Sequence, residues 1–115
     1  MRVENMDLIS KRLFFEKATG AAAINVDFVC PANLRIKSVR VKLSAAGAAG
    51  SFDISVDANA GAAYDQSLFT KDFTSVVNEN LVDCNWDLEE GDILKVDWVN
   101  GSSRTYGLVI TYHYI

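Results

Sequence analysis

In the run "DCNWDLEEGDIL", Asp83, Asn85 and Asp87 fall at alternate positions, the spacing with which a calcium-binding loop opens. Such a loop needs oxygen ligands at positions one, three and five, glycine at six for the sharp turn and a bidentate glutamate at twelve. Counted from Asp83, position six is Leu88 and position twelve is Leu94, so the motif fails at both. Cys84, Trp86 and Leu88 alternate with the acids, and a strand that buries them turns Asp83, Asn85 and Asp87 to solvent, with "LEEGDIL" as the hairpin that follows. The metal alternative is a surface cation on Asp83 and Asp87, with Asp92, since same-face neighbours on a strand lie about 7 Å apart.

Other chemistry has less to build on. His113 is the only histidine, and its neighbours Tyr112 and Tyr114 are not the partners of a catalytic relay. The chain has no GxSxG, no HExxH and no glycine-rich phosphate loop ending in GK[ST]. Its acids alternate along strands and turns, where nothing raises the pKa of one of a pair as a general acid requires. Cys30 and Cys84 lack CxxC spacing and fall in phase with apolar neighbours, which predicts buried free thiols. The expectation is a protein that is not an enzyme and carries no cofactor.

Length and charge narrow the class. At 115 residues the chain is one domain with a core of its own. Eleven basic against fifteen acidic residues, a net charge of −4, argue against bulk binding to nucleic acid or anionic lipid. No window resembles a membrane span, and "MRVENMDLISKR" has acids where a signal peptide would have an apolar centre, so the expected origin is cytoplasmic synthesis without processing.

Period-two alternation supplies the elements. Ile24, Val26, Phe28 and Cys30 share one face; so do Phe52, Ile54 and Val56, then Val82, Cys84, Trp86 and Leu88, then Leu94, Val96 and Trp98, and finally Tyr106, Leu108, Ile110, Tyr112 and Tyr114. In "LRIKSVRVKLS" the apolar phase slips after Ser38, from Leu34 and Ile36 to Val39, Val41 and Leu43, which is what a β-bulge produces. "AAGAAG" reads as a flexible turn, and the region around Leu68, Phe69 and Phe73 as one or two short strands. Residues 1–12 read as an N-terminal arm, with the first strand near "RLFFEK" and a single β-sandwich domain over residues 13–115. Seven to eight strands with turn signals every 8 to 12 residues indicate an all-β, antiparallel two-sheet sandwich of jelly-roll type. An immunoglobulin domain would place a tryptophan between the two cysteines, whereas Trp86 follows Cys84.

Two surfaces emerge from this layout. Arg35, Lys37, Arg40 and Lys42 form a basic stripe on the strand with the slip, and Asp83, Asp87, Glu89, Glu90, Asp92 and Asp97 an acidic counterpart. Segregated charge suits head-to-tail packing of copies or docking on a charged partner, although solvated faces and protected sheet edges give the same pattern. With the arm, this makes Arg2, Arg12, Phe14, Arg35, Lys37, Arg40 and Lys42 the candidate interface. Tyr106, Tyr112, Tyr114, Trp86 and Trp98 are the candidates for a sugar-stacking platform, the mark of a carbohydrate-binding or host-adhesion module, though their alternation with Leu94, Val96, Leu108 and Ile110 equally describes a core.

The closing run "LEEGDILKVDWVNGSSRTYGLVITYHYI" resembles the last strands of small β-sandwich proteins on the virions of tailed phages. There an "xxGDxLxVxW" hairpin is followed by a glycine-rich turn and a long final strand. The resemblance implies a non-enzymatic virion component, such as a capsid decoration or cement protein or a small head or tail component. It also implies contacts with a major capsid or other virion protein and a homo-oligomer, a trimer among the options. Trimeric C1q-like domains and carbohydrate-binding modules use the same hairpin, and the family has no catalytic residues to carry over.

Overall fold

The computed structural model describes residues 12–115, and the arm up to residue 11, Arg2 included, lies outside them. Nine strands follow one another: β1 (Phe14–Gly20), β2 (Ile24–Val29), β3 (Leu34–Leu43), β4 (Ser51–Asp57), β5 (Gln66–Asp72), β6 (Asn78–Leu81), β7 (Trp86–Leu88), β8 (Ile93–Trp98) and β9 (Tyr106–Tyr114). One sheet has the order β1-β9-β3-β6, with β7 also paired to β3, and the other the order β2-β8-β4-β5. All pairs are antiparallel.

The pairing is nested. β4 pairs with β5, β3 with β6 and β7, β2 with β8, and β1 with β9, so the chain forms one long hairpin rolled into two layers. Cross-links between β3 and β9 and between β4 and β8 complete the layers. This is jelly-roll winding, the all-β sandwich that the alternation predicts.

The core lies between the layers, because each strand turns one side chain in two towards it. Leu34, Ile36, Val39, Val41 and Leu43 of β3, Phe52 and Ile54 of β4, Leu94 and Val96 of β8, and Leu108 and Ile110 of β9 are all essentially inaccessible. The phase slip in β3 is a real irregularity: its register against β9 shifts between Ile36 and Ser38. Arg35 and Lys37 therefore stay on the same outer side as Arg40 and Lys42.

Three expectations are corrected. The run "NLVDCNWDL" is not one strand but two, β6 and β7, which raises the strand number to nine. Asp83 and Asn85 between them both adopt left-handed backbone, with φ of 53° each, a conformation that these residue types tolerate better than most. The alternation is lost there: Val82 is 58% exposed, Cys84 is half-buried, Trp86 packs half-buried against the edge of the core, and only Leu88 is fully buried.

In β1 the residue expected at the interface, Phe14, is turned inward between Leu13 and Phe15. Those two face outward, while Phe14 packs against the core. The loop "AAGAAG" is also tied down rather than free-standing. Gly47 donates to Val76 O and accepts from Ser75 N, both at 2.9 Å, and Gly50 O accepts from Phe73 N at 3.0 Å. Its small residues let the backbone lie against the core, since a Cβ on Gly47 would sit 2.6 Å from Phe73 O and 3.1 Å from the Trp98 ring.

Candidate interaction surface

The outer face of the β1-β9-β3 layer is basic. Lys17 comes from β1, and Arg35, Lys37, Arg40 and Lys42 come from β3, whose bulge preserves their common side. Across the rows, Lys17, Val109 and Arg40 lie side by side, as do Thr19, Gly107 and Lys42. His113 lies between β1 and Arg35 on this face; burial, and after it the charges of Lys37 and Arg35, holds its imidazole below the usual histidine pKa.

β7 brings one acid to this face. Asp87 sits directly opposite Arg35, and its carboxylate takes a two-pronged bond from the guanidinium, at 2.6 and 3.1 Å. That contact pulls the Asp87 carboxyl below its ordinary pKa. Both side chains remain well exposed, so solvent screens the pair and it adds little to stability. Asp87 thus belongs to the basic face and not to a separate acidic one.

The same face holds a groove of about 370 Å³ lined by Leu13, Phe15, Lys37, Ser38, Arg40, Val82, Asp83 and Thr111. Leu13, Phe15 and Val82 are among the most exposed large apolar side chains of the described residues, at 48, 59 and 58%. Sequence reading missed it for two reasons: the adjacent pair Phe14–Phe15 leaves the phase of β1 open, and Val82 is outward only because the chain kinks at Asp83. Of the proposed interface residues, Arg12 sits over the Phe14 ring, whereas Arg35, Lys37, Arg40 and Lys42 lie on this surface. Phe14 does not: its ring is 5.7 Å from Tyr112 and 4.8 Å from Tyr114, with the Arg12 guanidinium 5.6 Å from its centre.

The opposite outer face, on β2-β8-β4-β5, is acidic. Asp27, Asp53, Asp57, Asp72 and Asp97 share it with Lys95, which pairs with Asp27 at 3.2 Å. The acidic counterpart of the basic stripe is therefore drawn mostly from β2 and β4. Of the acids expected to form it, Asp97 alone lies here.

Asp97 stands directly opposite Asp53. Burial first, and then the charges of Asp27 and Asp53, raise its carboxyl above the ordinary carboxylate pKa, while Lys95 opposes them. A carboxyl raised in the folded state favours folding below its ordinary pKa and loses that contribution as the pH climbs through the raised value. Asp97→Asn is accordingly expected to stabilise the protein by about 0.5 kcal/mol at pH 7, by removing a like-charge cross-strand pair. The gain should shrink as the pH falls through the carboxylate range. Urea midpoints at pH 7 and pH 4 check this, and equal midpoints for both proteins at pH 7 would refute it.

The remaining candidates have structural roles. Asp92 is buried, and its carboxylate accepts backbone N–H groups from Asn59 and Glu89, each at 2.9 Å, fastening the loop after β4 to the β7–β8 turn. That turn needs Gly91, whose φ is 88°. With Asp87 held by Arg35 and Asp92 by amides, Asp83 has neither as a co-ligand, and among the described residues no three histidine, cysteine, aspartate or glutamate side chains converge. Trp98, Tyr106 and Tyr112 face the core at 2, 9 and 7% exposure, so they offer no open ring face to a sugar. Cys30 is buried, and burial with the nearby Asp92 pushes its thiol up to about 11.

Among the described residues no helix is long and apolar enough to cross a membrane. No family model matches the chain, and no curated protein matches it. Among solved structures it is similar to a chain from one titled "Structure of infectious bursal disease virus Gx strain". The identity is 14% and the TM-score 0.33, over 91% of this chain and 33% of that one. The class defined by the strand order is the jelly-roll β-sandwich, with outer faces of opposite charge.

Proposed function

We propose that this chain is a non-enzymatic structural protein of a virion, a decoration, cement or small head or tail component, that works in multiple copies through its outer sheet faces. The observation that carries the reading is the opposition of charge: Lys17, Arg35, Lys37, Arg40 and Lys42 on one outer face, and Asp27, Asp53, Asp57, Asp72 and Asp97 on the other. A sandwich of this kind attracts its own copies front to back. Such heterologous contacts close into rings or extend into arrays, according to the angle between neighbours. The same basic face suits an acidic patch on a larger virion protein. The virion setting draws its support from the resemblance of the closing hairpin and final strand.

Light scattering across a salt series tests the assembly. Association is expected at low salt and should fall as salt screens the exposed charges. Arg40→Glu with Lys42→Glu should abolish it, and adding an Asp27→Lys, Asp53→Lys variant should restore mixed assemblies. A mass that stays monomeric at every salt concentration, together with no co-sedimentation of the chain with particles, would rule the reading out.

A further inference from the structure

We propose that the outer edge of β1 is a docking site for a second copy of this chain, joined antiparallel, β1 against β1, about a twofold axis at Phe15. The contact extends the β1-β9-β3-β6 sheet in its own plane, so it is separate from the front-to-back stacking proposed above and does not depend on it. Among the described residues the sheet edges are β1, β2, β5 and the short strands β6 and β7. An edge offers backbone N–H and C=O groups to any strand that fits, unless something guards it. β5 is guarded by a bulge: Phe69 pairs with Ile54 and Ser67 with Ser55, which leaves Leu68 over. Its Lys71 also bridges to Glu79 of β6 at 2.8 Å, linking the two sheets on that side. β6 and β7 are short and divided by the kink at Asp83 and Asn85. β2 holds an acid, Asp27, and no cation, so a second β2 brings like charge to it.

β1 lacks these devices. Its register with β9 runs unbroken from Phe14 to Gly20, and it carries one residue of each charge, Glu16 and Lys17. Leu13 and Phe15, at its start, are 48 and 59% exposed. Self-complementarity then sets the register. Directly opposite residues of an antiparallel pair point to the same side of the sheet, so pairing about a twofold axis centres on a single residue. Centred on Glu16 or on Lys17, it sets like charges against each other, which is destabilising. Centred on Phe15, it sets Phe15 against the second copy's Phe15 and Leu13 against the second copy's Lys17, whose stem covers apolar surface while the ammonium stays in water. Leu13 and Phe15 of both copies then make one apolar strip on the outer side. On the inner side Arg12, which sits over the Phe14 ring, becomes the diagonal neighbour of the second copy's Glu16, opposite in sign and within reach of a long side chain. The symmetry makes that ion pair twice. A centre at Phe14 keeps the ion pair but joins only residues 12–16 of the described chain, against residues 12–18 for the centre at Phe15.

Light scattering of the full chain in 1 M salt, where the screening length is only about 3 Å, separates this contact from charge-driven stacking. The expected mass is that of two chains, because backbone pairing and apolar burial survive salt. Phe15→Lys, a change at an exposed position, should give a single chain at that salt by setting two lysines together at the axis. Cross-linking fixes the register. Phe15→Cys should oxidise to a disulfide dimer, since directly opposite Cβ atoms lie about 4.5–5.5 Å apart. Lys17→Cys should not, because the two copies of residue 17 lie about 14 Å apart along the strands. The natural chain, with Cys30 buried and Cys84 half-buried, is the blank. A single-chain mass in high salt at every protein concentration overturns the proposal. So does a dimer that Phe15→Lys leaves intact, or a Lys17→Cys dimer in place of the Phe15→Cys one. A dimer in high salt that grows no further at low salt supports the edge contact and counts against the front-to-back reading alone.

Discussion

Phe73→Ala is expected to cost about 3–5 kcal/mol, the range for removing a fully buried phenylalanine without refilling its space. Phe73 lies outside every strand, in the connection between β5 and β6, yet it has no exposed surface. Its ring stacks on Phe52 at 4.3 Å with 3° between the planes and meets the edge of Trp98 at 5.4 Å. Its backbone is equally committed, with the N–H bonded to Gly50 O and the carbonyl against Gly47. Surrounding strands hold Phe52 and Trp98 in place, so collapse into the void is restricted. For a domain of this size such a loss lowers the thermal midpoint by more than about 10 °C. Phe69→Ala, at a half-buried neighbour, should cost distinctly less. Calorimetry of both variants provides the check, and a Phe73→Ala loss under about 1 kcal/mol would mean that the connection is not part of the core.

Asn100→Ala should be the most damaging polar substitution, at about 2–4 kcal/mol. The side chain is 3% exposed and sits in the "NGSS" turn. Its amide donates to Ala22 O and Arg104 O, both at 2.8 Å, with a longer contact of 3.4 Å to Ala21 O, and its carbonyl accepts the Arg104 N–H at 2.9 Å. One residue thereby joins the β1–β2 turn to the β8–β9 turn. Removing it takes away three short hydrogen bonds to the Ala22 and Arg104 backbone, each at about 0.5–1.5 kcal/mol. The backbone adds to this, because φ is 51° and left-handed geometry costs alanine about 1 kcal/mol more than asparagine or glycine. Asn100→Gly separates the two causes, since it keeps the geometry and loses the bonds. It should recover only about 1 kcal/mol of the alanine loss. A glycine variant as stable as the natural protein would assign the whole effect to the backbone.

The legible part of the fold was the part carried by alternation. In β2, β3, β4, β8 and β9 the side chains that share a period of two are buried or, like Val26 and Tyr114, packed against the core, and the Ser38 slip became a register shift in β3. The basic stripe was legible for the same reason, because all four of its residues lie on one strand. The run after Asn80 was misleading, since Asp83 and Asn85 kink the chain there and alternation carries no mark of a left-handed residue. Asn100 gave only a turn signal, with nothing to indicate that its side chain would be enclosed.

By itself, then, the sequence determined which residues share a face within each strand, and from the number and spacing of strands the class of fold. That information is local, set by the two-residue repeat of the extended chain. Which strands lie side by side is decided by long-range pairing, and only the tertiary structure supplies it. Pairing of β7 with β3 put Asp87 on Arg35, and pairing of β4 with β8 put Asp53 opposite Asp97. It also gathered Leu13, Phe15 and Val82 from distant parts of the chain into one groove. The charge of each outer face and the place of the apolar groove are properties of neighbouring strands, and no single strand's pattern contains them.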